Sequence, residues 1–399
     1  MVESAAGDGR TQEEVRADLR GLFQGAIRLV IENVLQEEVR ELVGARRFER
    51  LSQRKDVRNG TYLRRLLTSM GQIEGSVPRT RESGSACDTL GRYQRRAPEV
   101  DDLIAEAYVS GVSTRKMGAV TEALLGDRVG RSTVSRVTQR LADEVEALRT
   151  APIAEPIRYL YLDATFLDAR WARTVENVAA LVAYGVGADG KRRLLGVTIG
   201  PEESEASWTE LLEQLVARGL SGVELVIADA HRRAQAGVRT AVRRLLPEAK
   251  QQRCVVHLER NVLTKTPARL RGRLARQVAA IFQAPSKAEA AKRRATLEAA
   301  LGAQVPEALA CLTQGFEAAT QFYAFPAAHW IRLRSTNGLE RLHGEIKRRI
   351  RAVGAFPDRA SALRLIVAVA LRVTAIWDDR RYLDMTAGRK EERTTQHAA

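Results

Sequence analysis

The chain has 399 residues, a formal net charge of +15 and a pI of about 10.2. Hydrophobic residues make up 45% and charged residues 28%, which excludes a disordered chain and allows two or three domains with their own cores. The excess of positive charge favours a polyanionic partner, either nucleic acid or an anionic membrane surface, but no run approaches about 18 uninterrupted apolar residues, so nothing is expected to span a bilayer.

The N-terminal residues and the cysteines predict a cytoplasmic protein. The first residues lack the basic-then-apolar order of a secretory signal. The three cysteines, Cys87, Cys254 and Cys311, are scattered and odd in number, which suits a reducing compartment without disulfides. We therefore expect nucleic acid, rather than a membrane, to be the partner.

The first region, residues 1–98, is predicted to be partly helical and partly irregular. Apolar residues recur at spacings of three and four from Gln12 to Gly44, which predicts a long amphipathic helix and a candidate dimer interface. The segment Gly71–Ala97 is rich in Gly, Ser and Thr and is interrupted by Pro78, so no regular element is predicted there. This region is a candidate for dimerisation and for some DNA contact.

Residues 99–150 predict a helix-turn-helix DNA-binding domain. Its three helices are expected at Val100–Ser110, Ser113–Leu125 and Ser132–Leu148. Ser113 and Ser132 stand where N-cap residues belong. The third helix would offer hydroxyl groups and one arginine to a major groove, through Ser132, Thr133, Ser135 and Arg136. The alternative is a helical bundle without DNA contact.

Thr150–Pro156 is predicted to be a linker, and after it, in residues 151–399, the spacing of apolar residues changes from that of a helix to that of a strand. A strand around Tyr159–Phe166 carries Asp163 on one face, and two further strands complete a meander at Val178–Gly187 and Arg193–Ile199. The next elements are a helix, a strand that ends at Asp229, a second helix and a short strand, predicted at Glu205–Ala217, Val223–Ala228, Arg232–Leu246 and Arg253–Val256. This α/β order, with one carboxylate in the first strand and another after the fourth, is typical of a ribonuclease-H-like core.

The remainder of the chain is predicted to be helical. An all-helical insertion is expected at about residues 268–335, followed by helices at Asn337–Arg351 and Ala362–Asp378. The first of these two helices carries Glu340. The charged tail after Thr386 is expected to be disordered.

Asp163, Asp229 and Glu340 are the candidate catalytic and metal-binding residues. Carboxylates beside buried strands are costly unless positive charge neutralises them, and a pair of divalent cations would do so. Two such cations next to a basic surface are typical of phosphodiester cleavage. A carboxylate at a strand end can also be a simple cap or turn. Glu345 lies five residues after Glu340, about 140° around the helix, so both cannot face one metal site.

Five motifs in order resemble the mutator-type transposases of bacterial insertion sequences. They are Leu162-Asp-Ala-Thr165, Ala183-Tyr-Gly-Val-Gly-Ala-Asp-Gly190, Ile227-Ala-Asp-Ala-His231, Gln252-Arg-Cys-Val-Val-His257 and Ser335-Thr-Asn-Gly-Leu-Glu-Arg-Leu-His-Gly-Glu-Ile-Lys-Arg-Arg349. The resemblance implies a DDE recombinase whose acidic triad falls on Asp163, Asp229 and Glu340. It implies two Mg²⁺ ions, with Mn²⁺ as an alternative. His343 stands where the family usually has Asn, and Ala228 where Ser is common.

Further residues are candidates for supporting the core or for binding DNA. Cys254 and His257 have a spacing that zinc could use, but no second pair matches it, so support beside the active site is the preferred interpretation. His231 could touch a phosphate or lie in a surface loop, and Trp330 could stack on a base or close the core. A cationic run is expected to bind phosphate, and it comprises Arg332, Arg334, Arg341, Lys347, Arg348 and Arg349.

The sequence therefore predicts a transposase that binds terminal inverted repeats, cleaves DNA ends with divalent metal and transfers strands into target DNA. Its partners would be double-stranded DNA and further copies of itself, as a homodimer or larger assembly. We expect it in the bacterial cytoplasm at the nucleoid. Two alternatives remain open: a catalytically silent DNA-binding regulator on the same scaffold, and a nuclease without transfer activity.

Overall fold

A computed structural model describes residues 11–49, 51, 53–82, 89–91, 94–171, 174–229, 234–377 and 379–386. Contacts divide the chain into two units, Met1–Thr138 and Gln139–Ala399. The first unit is mostly helical, and the second contains a mixed β-sheet with helices. The predicted tail after Thr386 lies outside the described residues.

The first unit begins with the predicted long helix, α1, at Gln12–Val43. A capping box starts it, because the Thr11 side chain accepts from the Glu14 amide while the Glu14 carboxylate accepts from the Thr11 amide. Gly44 ends it in the left-handed conformation, at φ 72°. The prediction of this helix is confirmed.

A β-hairpin follows where no regular element was predicted. Strands β1 (Arg58–Thr68) and β2 (Gly71–Thr80) pair antiparallel and pack against the buried end of α1. Pro78 is tolerated within β2 because each strand of a two-stranded sheet has one free edge, where the missing N–H is not needed. The view of Gly71–Ala97 as lacking regular structure was therefore wrong for residues 71–80.

Three short helices complete the first unit: α2 at Pro98–Val109, α3 at Thr114–Leu125 and α4 at Arg131–Thr138. Ser113 caps α3 as expected, accepting from the Lys116 amide. Ser132, in contrast, lies inside the first turn of α4, so its prediction as an N-cap was wrong. Val134 and Val137 are buried, and they fix which face of α4 stays open to solvent.

The predicted third helix, Ser132–Leu148, is two helices. α4 stops at Thr138, and α5 spans Leu141–Thr150 in the second unit. The Thr138 hydroxyl donates to the Ser135 carbonyl, a local bond of the kind that competes with helix continuation. The predicted domain boundary at residue 150 lies after α5, whereas the two units divide between Thr138 and Gln139.

The second unit is built on a five-stranded sheet in the order β5-β4-β3-β6-β7. Its strands are β3 (Ile157–Trp171), β4 (Thr174–Gly187), β5 (Arg192–Gly200), β6 (Leu225–Ala228) and β7 (Lys250–Arg253). The β3–β4–β5 meander is antiparallel, as predicted, while β6 and β7 run parallel to β3. β3 is thus the strand at which the direction of pairing changes.

Alternation along β3 sends its side chains to two different faces of the sheet. Leu160 and Leu162 belong to a core with helices α6 (Glu205–Ala217) and α7 (Ala234–Leu245). Tyr159, Tyr161 and Asp163 point to the other face, where Tyr159 Oη lies 2.9 Å from His329 Nδ1. Asp163 therefore lies on the face opposite the α6–α7 layer.

The short strand predicted at Arg253–Val256 lies three residues earlier in the structure, at Lys250–Arg253. β7 ends at Arg253, and Cys254 is the N-cap of helix α8, Val255–Thr264. The β-branched pair Val255-Val256 favoured a strand locally, but Val255 is buried in the first turn of α8 instead. This helix was not predicted.

The predicted helical insertion is present. It contains α9 (Ala268–Phe282), α10 (Lys287–Leu301), α11 (Pro306–Ala319), two 3₁₀ turns and the short α12 (Trp330–Leu333). The chain then returns to the sheet as α13 (Asn337–Val353) and α14 (Arg359–Thr374).

α14 is a core helix of the second unit. By length and apolar composition residues 359–377 would suffice to cross a membrane, but half of that window is buried inside the protein. Arg372 on α14 makes two hydrogen bonds to the Glu144 carboxylate of α5, at 2.7 and 3.2 Å. These contacts tie α5 to the second unit.

Candidate active site

A cavity of about 680 Å³ brings the three candidate carboxylates together. Asp163, Asp229 and Glu340 all contribute to its wall, although they come from β3, the end of β6 and α13. His257, Arg260, His343 and Lys347 line the same cavity. We call this the acidic pocket. The structure thus gathers the carboxylates as the sequence predicted, while their roles as metal ligands and catalysts remain predictions.

Strand register explains why the two aspartates meet. β3 and β6 are parallel neighbours, and Leu162 pairs with Ala228. The residue after each member of this pair is Asp163 or Asp229, so the two carboxylates project at the same level of the sheet. In open α/β sheets, ligands typically bind at such positions, next to the carboxyl end of a strand where the topology changes.

Asp163 is the most desolvated acid in the pocket. Its Oδ1 accepts from the Ala164 amide at 3.0 Å, and its Oδ2 lies 3.4 Å from His343 Nδ1. Burial raises the pKa of Asp163 to about 8, against the weaker opposing effect of His257. Burial, with help from Lys347, lowers the pKa of His343 to about 4. Without a cation, the pocket favours a neutral acid beside a neutral imidazole.

α13 presents one face to the acidic pocket through Glu340, His343, Gly344 and Lys347. These positions follow the helical spacing of three, four and seven. Glu345 does not line the pocket, and its carboxylate accepts from Arg348 at 2.7 Å. The helix therefore distinguishes the two glutamates in the direction expected from the sequence, and Glu340 is the one beside the aspartates.

α8 supplies two further side chains, one turn apart. His257 Nδ1 lies 3.5 Å from Asp229 Oδ1. Arg260 donates to Glu340 Oε1 at 2.6 Å. Arg260 was missed by the sequence analysis because the helix that carries it was not predicted. Its guanidinium neutralises a carboxylate that would otherwise face two aspartates.

Cys254 links the end of β7 to the start of α13. The Thr336 amide and hydroxyl each donate to Cys254 Sγ at 3.4 Å, and the Cys254 amide donates to the Ala228 carbonyl at 2.9 Å. Burial raises the pKa of the Cys254 thiol. Cys254 thus contacts the residue before α13 and His257 contacts Asp229, while the supporting role of the Cys254-x-x-His257 motif stays a prediction.

Glu203 is a fourth acid that the sequence analysis missed. It lies in the connection between β5 and α6 and lines the acidic pocket with Glu202. Burial raises the pKa of Glu203 to about 7, and the neighbouring charge of Asp229 adds to this effect. The available signal was an acidic pair directly after a strand, without any apolar pattern to mark it.

The donor set of the pocket suits hard divalent cations, although the side chains are not gathered into a finished site. Within the described residues, no three His, Cys, Asp or Glu side chains lie close enough together to hold a metal ion as they stand. Asp229 Oδ1 is buried and accepts no hydrogen bond from the described part of the chain. Burial raises the pKa of Asp163 by more than the charge of His257 lowers it. Carboxylate oxygens in this condition fit Mg²⁺.

The predicted DNA-binding residues fall into separate groups. Arg332, Arg334 and Arg341 line a second cavity, and Lys347 lines the acidic pocket. Arg348 and Arg349 both approach Glu345, at 2.7 and 3.6 Å. On α4 the predicted groove-reading residues form an outer face, where Ser132, Ser135 and Arg136 are exposed and Thr133 is partly exposed.

The other two candidate residues have different outcomes. Trp330 packs edge-on against Tyr323 at 4.8 Å, and its indole N–H donates to the Phe325 carbonyl at 2.6 Å. Trp330 is therefore held by contacts within the insertion and lines neither of the two cavities. His231 lies outside the described residues.

Comparison with known proteins identifies the family of this chain. Residues 3–379 match the family described as Transposase, Mutator family. The chain is 37% identical over 363 residues to the transposase for insertion sequence element ISRM5 of Rhizobium meliloti, covering 90% of this chain and 89% of the relative. It is 37% identical over 358 residues to the IS406 transposase of Burkholderia multivorans, covering 88% and 90%. It is 35% identical over 360 residues to the IS256 transposase in Tn4001 of Staphylococcus aureus, covering 89% and 91%. The chain belongs to the Mutator family of transposases.

Proposed function

We propose that the chain is a DDE-type transposase that cleaves the ends of an insertion sequence and joins them to target DNA. The observation that carries this proposal is the acidic pocket, in which Asp163, Asp229 and Glu340 share one cavity with Lys347. The proposal includes a ribonuclease-H-like core. The order β5-β4-β3-β6-β7, with three antiparallel strands followed by two parallel ones, supports it.

Asp163, Asp229 and Glu340 would hold two divalent cations. When bound, the cations would supply activation of the attacking oxygen and stabilisation of the leaving oxygen. Lys347 would bind the phosphate beside the break. Arg260 holds Oε1 of Glu340 and thereby orients that carboxylate toward the pocket. The neutral His343 excludes water from one side of Asp163 and adds no charge there.

The test is Mg²⁺-dependent nicking and joining of DNA that carries the ends of the element. Asp163→Asn should abolish both reactions, because it removes the central anionic ligand of the site. Binding to end DNA should remain close to that of the unchanged protein, since the substitution lies in the pocket and not on α4. Cleavage by Asp163→Asn would overturn the catalytic assignment. Binding without cleavage by the unchanged protein would favour a silent regulator, and nicking without joining would favour a nuclease.

We propose that α2, α3 and α4 form a helix-turn-helix that reads the terminal inverted repeats. Ser132, Ser135 and Arg136 form an exposed face of α4, while its other face is fixed by Val134 and Val137. Replacing Arg136 with Ala should weaken binding to end DNA by about tenfold to a hundredfold, the effect expected when one base is no longer read. Binding to generic duplex should change little. An equal effect on both DNAs would assign Arg136 to the backbone instead.

We also propose that the protein acts as a dimer or larger assembly, because two ends must be brought together. α1 supports this proposal with a series of exposed apolar side chains, at Val15, Leu19, Leu22, Phe23, Leu29, Val30 and Val34. Such a series is unusual for a helix that faces only water. Sedimentation of the full chain tests the proposal, and a monomer at micromolar concentration would contradict it.

A further inference from the structure

A second cavity, of about 670 Å³, lies against a different face of α13 from the acidic pocket. Asn337, Gly338, Arg341 and Leu342 of α13 contribute to it, whereas Glu340, His343 and Lys347 do not. We call it the arginine cleft, after the six arginines that line it: Arg192, Arg332, Arg334, Arg341, Arg380 and Arg381. Among its described lining residues, Glu259 is the one acidic side chain. The cleft is therefore strongly cationic.

Arg192 is a partly buried member of this group. Its guanidinium carbon lies 4.1 Å from the centre of the Trp377 ring and 4.5 Å from that of Tyr382. Its Nε is buried and donates to no acceptor within the described part of the chain. In the same part of the chain, no carboxylate forms an ion pair with Arg192. Burial lowers the pKa of Arg192, so the folded protein bears a desolvation cost that an anion would relieve.

The segment that carries Arg380 and Arg381 is attached to the turn at Gly190. The Tyr382 and Leu383 amides both donate to the Gly190 carbonyl, at 2.8 and 3.1 Å. Gly190 has φ +76°, and a Cβ there would collide with the Leu383 carbonyl, so glycine permits this close approach. Arg380 and Arg381 are exposed and belong to this anchored segment. These contacts fix the segment that contributes two of the six arginines to the cleft.

The aromatic rings of the cleft are already covered. Arg192 lies over both Trp377 and Tyr382, and Arg332 lies 4.8 Å from the centre of the Tyr382 ring. Trp377 is also buried, at 4% exposure. A nucleic-acid base would have to displace an arginine in order to stack, whereas a phosphate could bind the guanidinium groups as they stand. The chemistry favours backbone phosphates and carries no base selectivity.

We propose that the arginine cleft binds the phosphates of a second DNA segment, separate from the strand whose phosphodiester lies in the acidic pocket. The proposal rests on the proposed function, since a strand-transfer enzyme must hold both the end that it has cut and the DNA that receives it. A cleft selective for phosphate but not for base suits a recipient of any sequence. α13 forms a wall shared by the two sites.

The test is the salt dependence of binding to a generic duplex that lacks the element's ends, measured with the full chain in EDTA. Arg380→Gln/Arg381→Gln should weaken binding roughly tenfold and lower the slope of log K against log salt by about 0.9 for each phosphate that is no longer neutralised. Arg380→Lys/Arg381→Lys should keep most of the slope, because the charge remains. Circular dichroism and thermal unfolding check that these exposed substitutions leave the fold intact.

The matched control is Arg269→Gln/Arg273→Gln, which removes the same charge from two exposed arginines of α9. The proposal requires a clearly smaller effect from this control. An equal effect would assign the binding to overall charge, and no effect from Arg380→Gln/Arg381→Gln would also overturn the proposal. If the substitutions in the cleft weakened binding of polyglutamate but not of duplex DNA, the ligand of the cleft would be an acidic protein partner and not DNA. Because no divalent metal is present, a failure of the catalytic assignment would leave this result unaffected.

Discussion

The acidic pocket and the arginine cleft use one helix for opposite purposes. α13 turns Glu340, His343 and Lys347 toward two aspartates, and Arg341 toward a group of other arginines. In the pocket, burial raises the pKa of Asp163 to about 8. In the cleft, burial lowers the pKa of Arg192. Each site therefore desolvates its own kind of charge.

This contrast indicates which ligand would stabilise each site. A desolvated carboxylate is stabilised by a cation, and a desolvated guanidinium by an anion. A divalent metal and a DNA phosphate are the ligands that match these two needs. The helical period keeps the two charges apart on α13, so one run of sequence can serve both. Substitutions on each face should separate the two functions.

The largest effect is expected on the acidic face. Glu340→Gln should lower Mg²⁺-dependent nicking of end DNA by several orders of magnitude, because a site built around two cations loses an anionic ligand. Glu345→Gln is the matched control on the same helix. It should cost at most a small factor, since Glu345 makes partly exposed ion pairs with Arg348 and Arg349. Nicking rates of both variants decide the assignment.

The opposite result would mean that a different face of α13 supplies the third carboxylate. An inactive Glu345→Gln beside an active Glu340→Gln would move the third carboxylate five positions along, to a different face of the helix. The contact between Arg260 and Glu340 would then be structural only.

Much of the second unit could be predicted because its elements have strong periods. β3, β4 and β5 alternate or are continuously apolar, so Asp163 stands out within the β3 pattern and Asp229 at the end of β6. The sequence predicted that these two aspartates meet, but not the register that explains it, in which parallel neighbours place the residues after Leu162 and Ala228 side by side. The role of Glu340 was harder to predict, because the sequence does not show which face of a helix packs toward the sheet.

Other features could not be predicted, since they depend on contacts between distant segments. The break between α4 and α5 has no Gly or Pro to mark it, and Thr138 provides only a local hydrogen bond. Arg260 belongs to a helix whose first residues favour a strand. The arginine cleft joins Arg192 of β5 to Arg380 and Arg381 near the end of the described chain. No local pattern connects those positions.

A substitution in the shared wall should affect both sites at once. A Cβ on Gly338 would lie 2.5 Å from Tyr184 Oη and 3.3 Å from Tyr382 Oη. Tyr184 cannot retreat easily because it stacks on Tyr161 with ring centres 4.4 Å apart. Gly338→Ala should therefore shift the start of α13, cost about 1–3 kcal/mol of stability and weaken both nicking and generic-duplex binding about tenfold.

The stability control for that variant is Gly344→Ala, on the same helix, where a Cβ would meet nothing within 4 Å. Helix propensity alone should make it neutral or stabilising by up to about 1 kcal/mol. If Gly338→Ala behaved like Gly344→Ala in denaturant unfolding, the close approach between α13 and the tyrosines would not constrain the wall. Loss of nicking alone, with duplex binding intact, would mean that the two sites are independent.

The smallest effect is expected from pH, and it should act on the acidic pocket only. In the absence of metal, the folded pKa of Asp163 is raised from 3.8 to about 8, and that of Glu203 from 4.5 to about 7. For each group, the folded protein binds more protons than the unfolded chain at pH values between the unfolded and the folded pKa. The free energy of unfolding therefore falls as pH rises through that range. His343 acts in the opposite sense, because its folded pKa is lowered from 6.5 to about 4, but its contribution is complete above pH 6.5.

From pH 7 to 8, above the folded pKa of Glu203, Asp163 is therefore the main source of the decline. In EDTA, stability should decrease by at most about 1.4 kcal/mol for each pH unit from this group. Mg²⁺ should reverse the decline, since a bound cation replaces the proton. Asp163→Asn should flatten the same pH profile, because its amide does not titrate, whereas Arg380→Gln/Arg381→Gln should leave the profile as steep as before. A steep profile in Asp163→Asn would assign the titration to another group and remove the distinction between a proton-sensitive pocket and a salt-sensitive cleft.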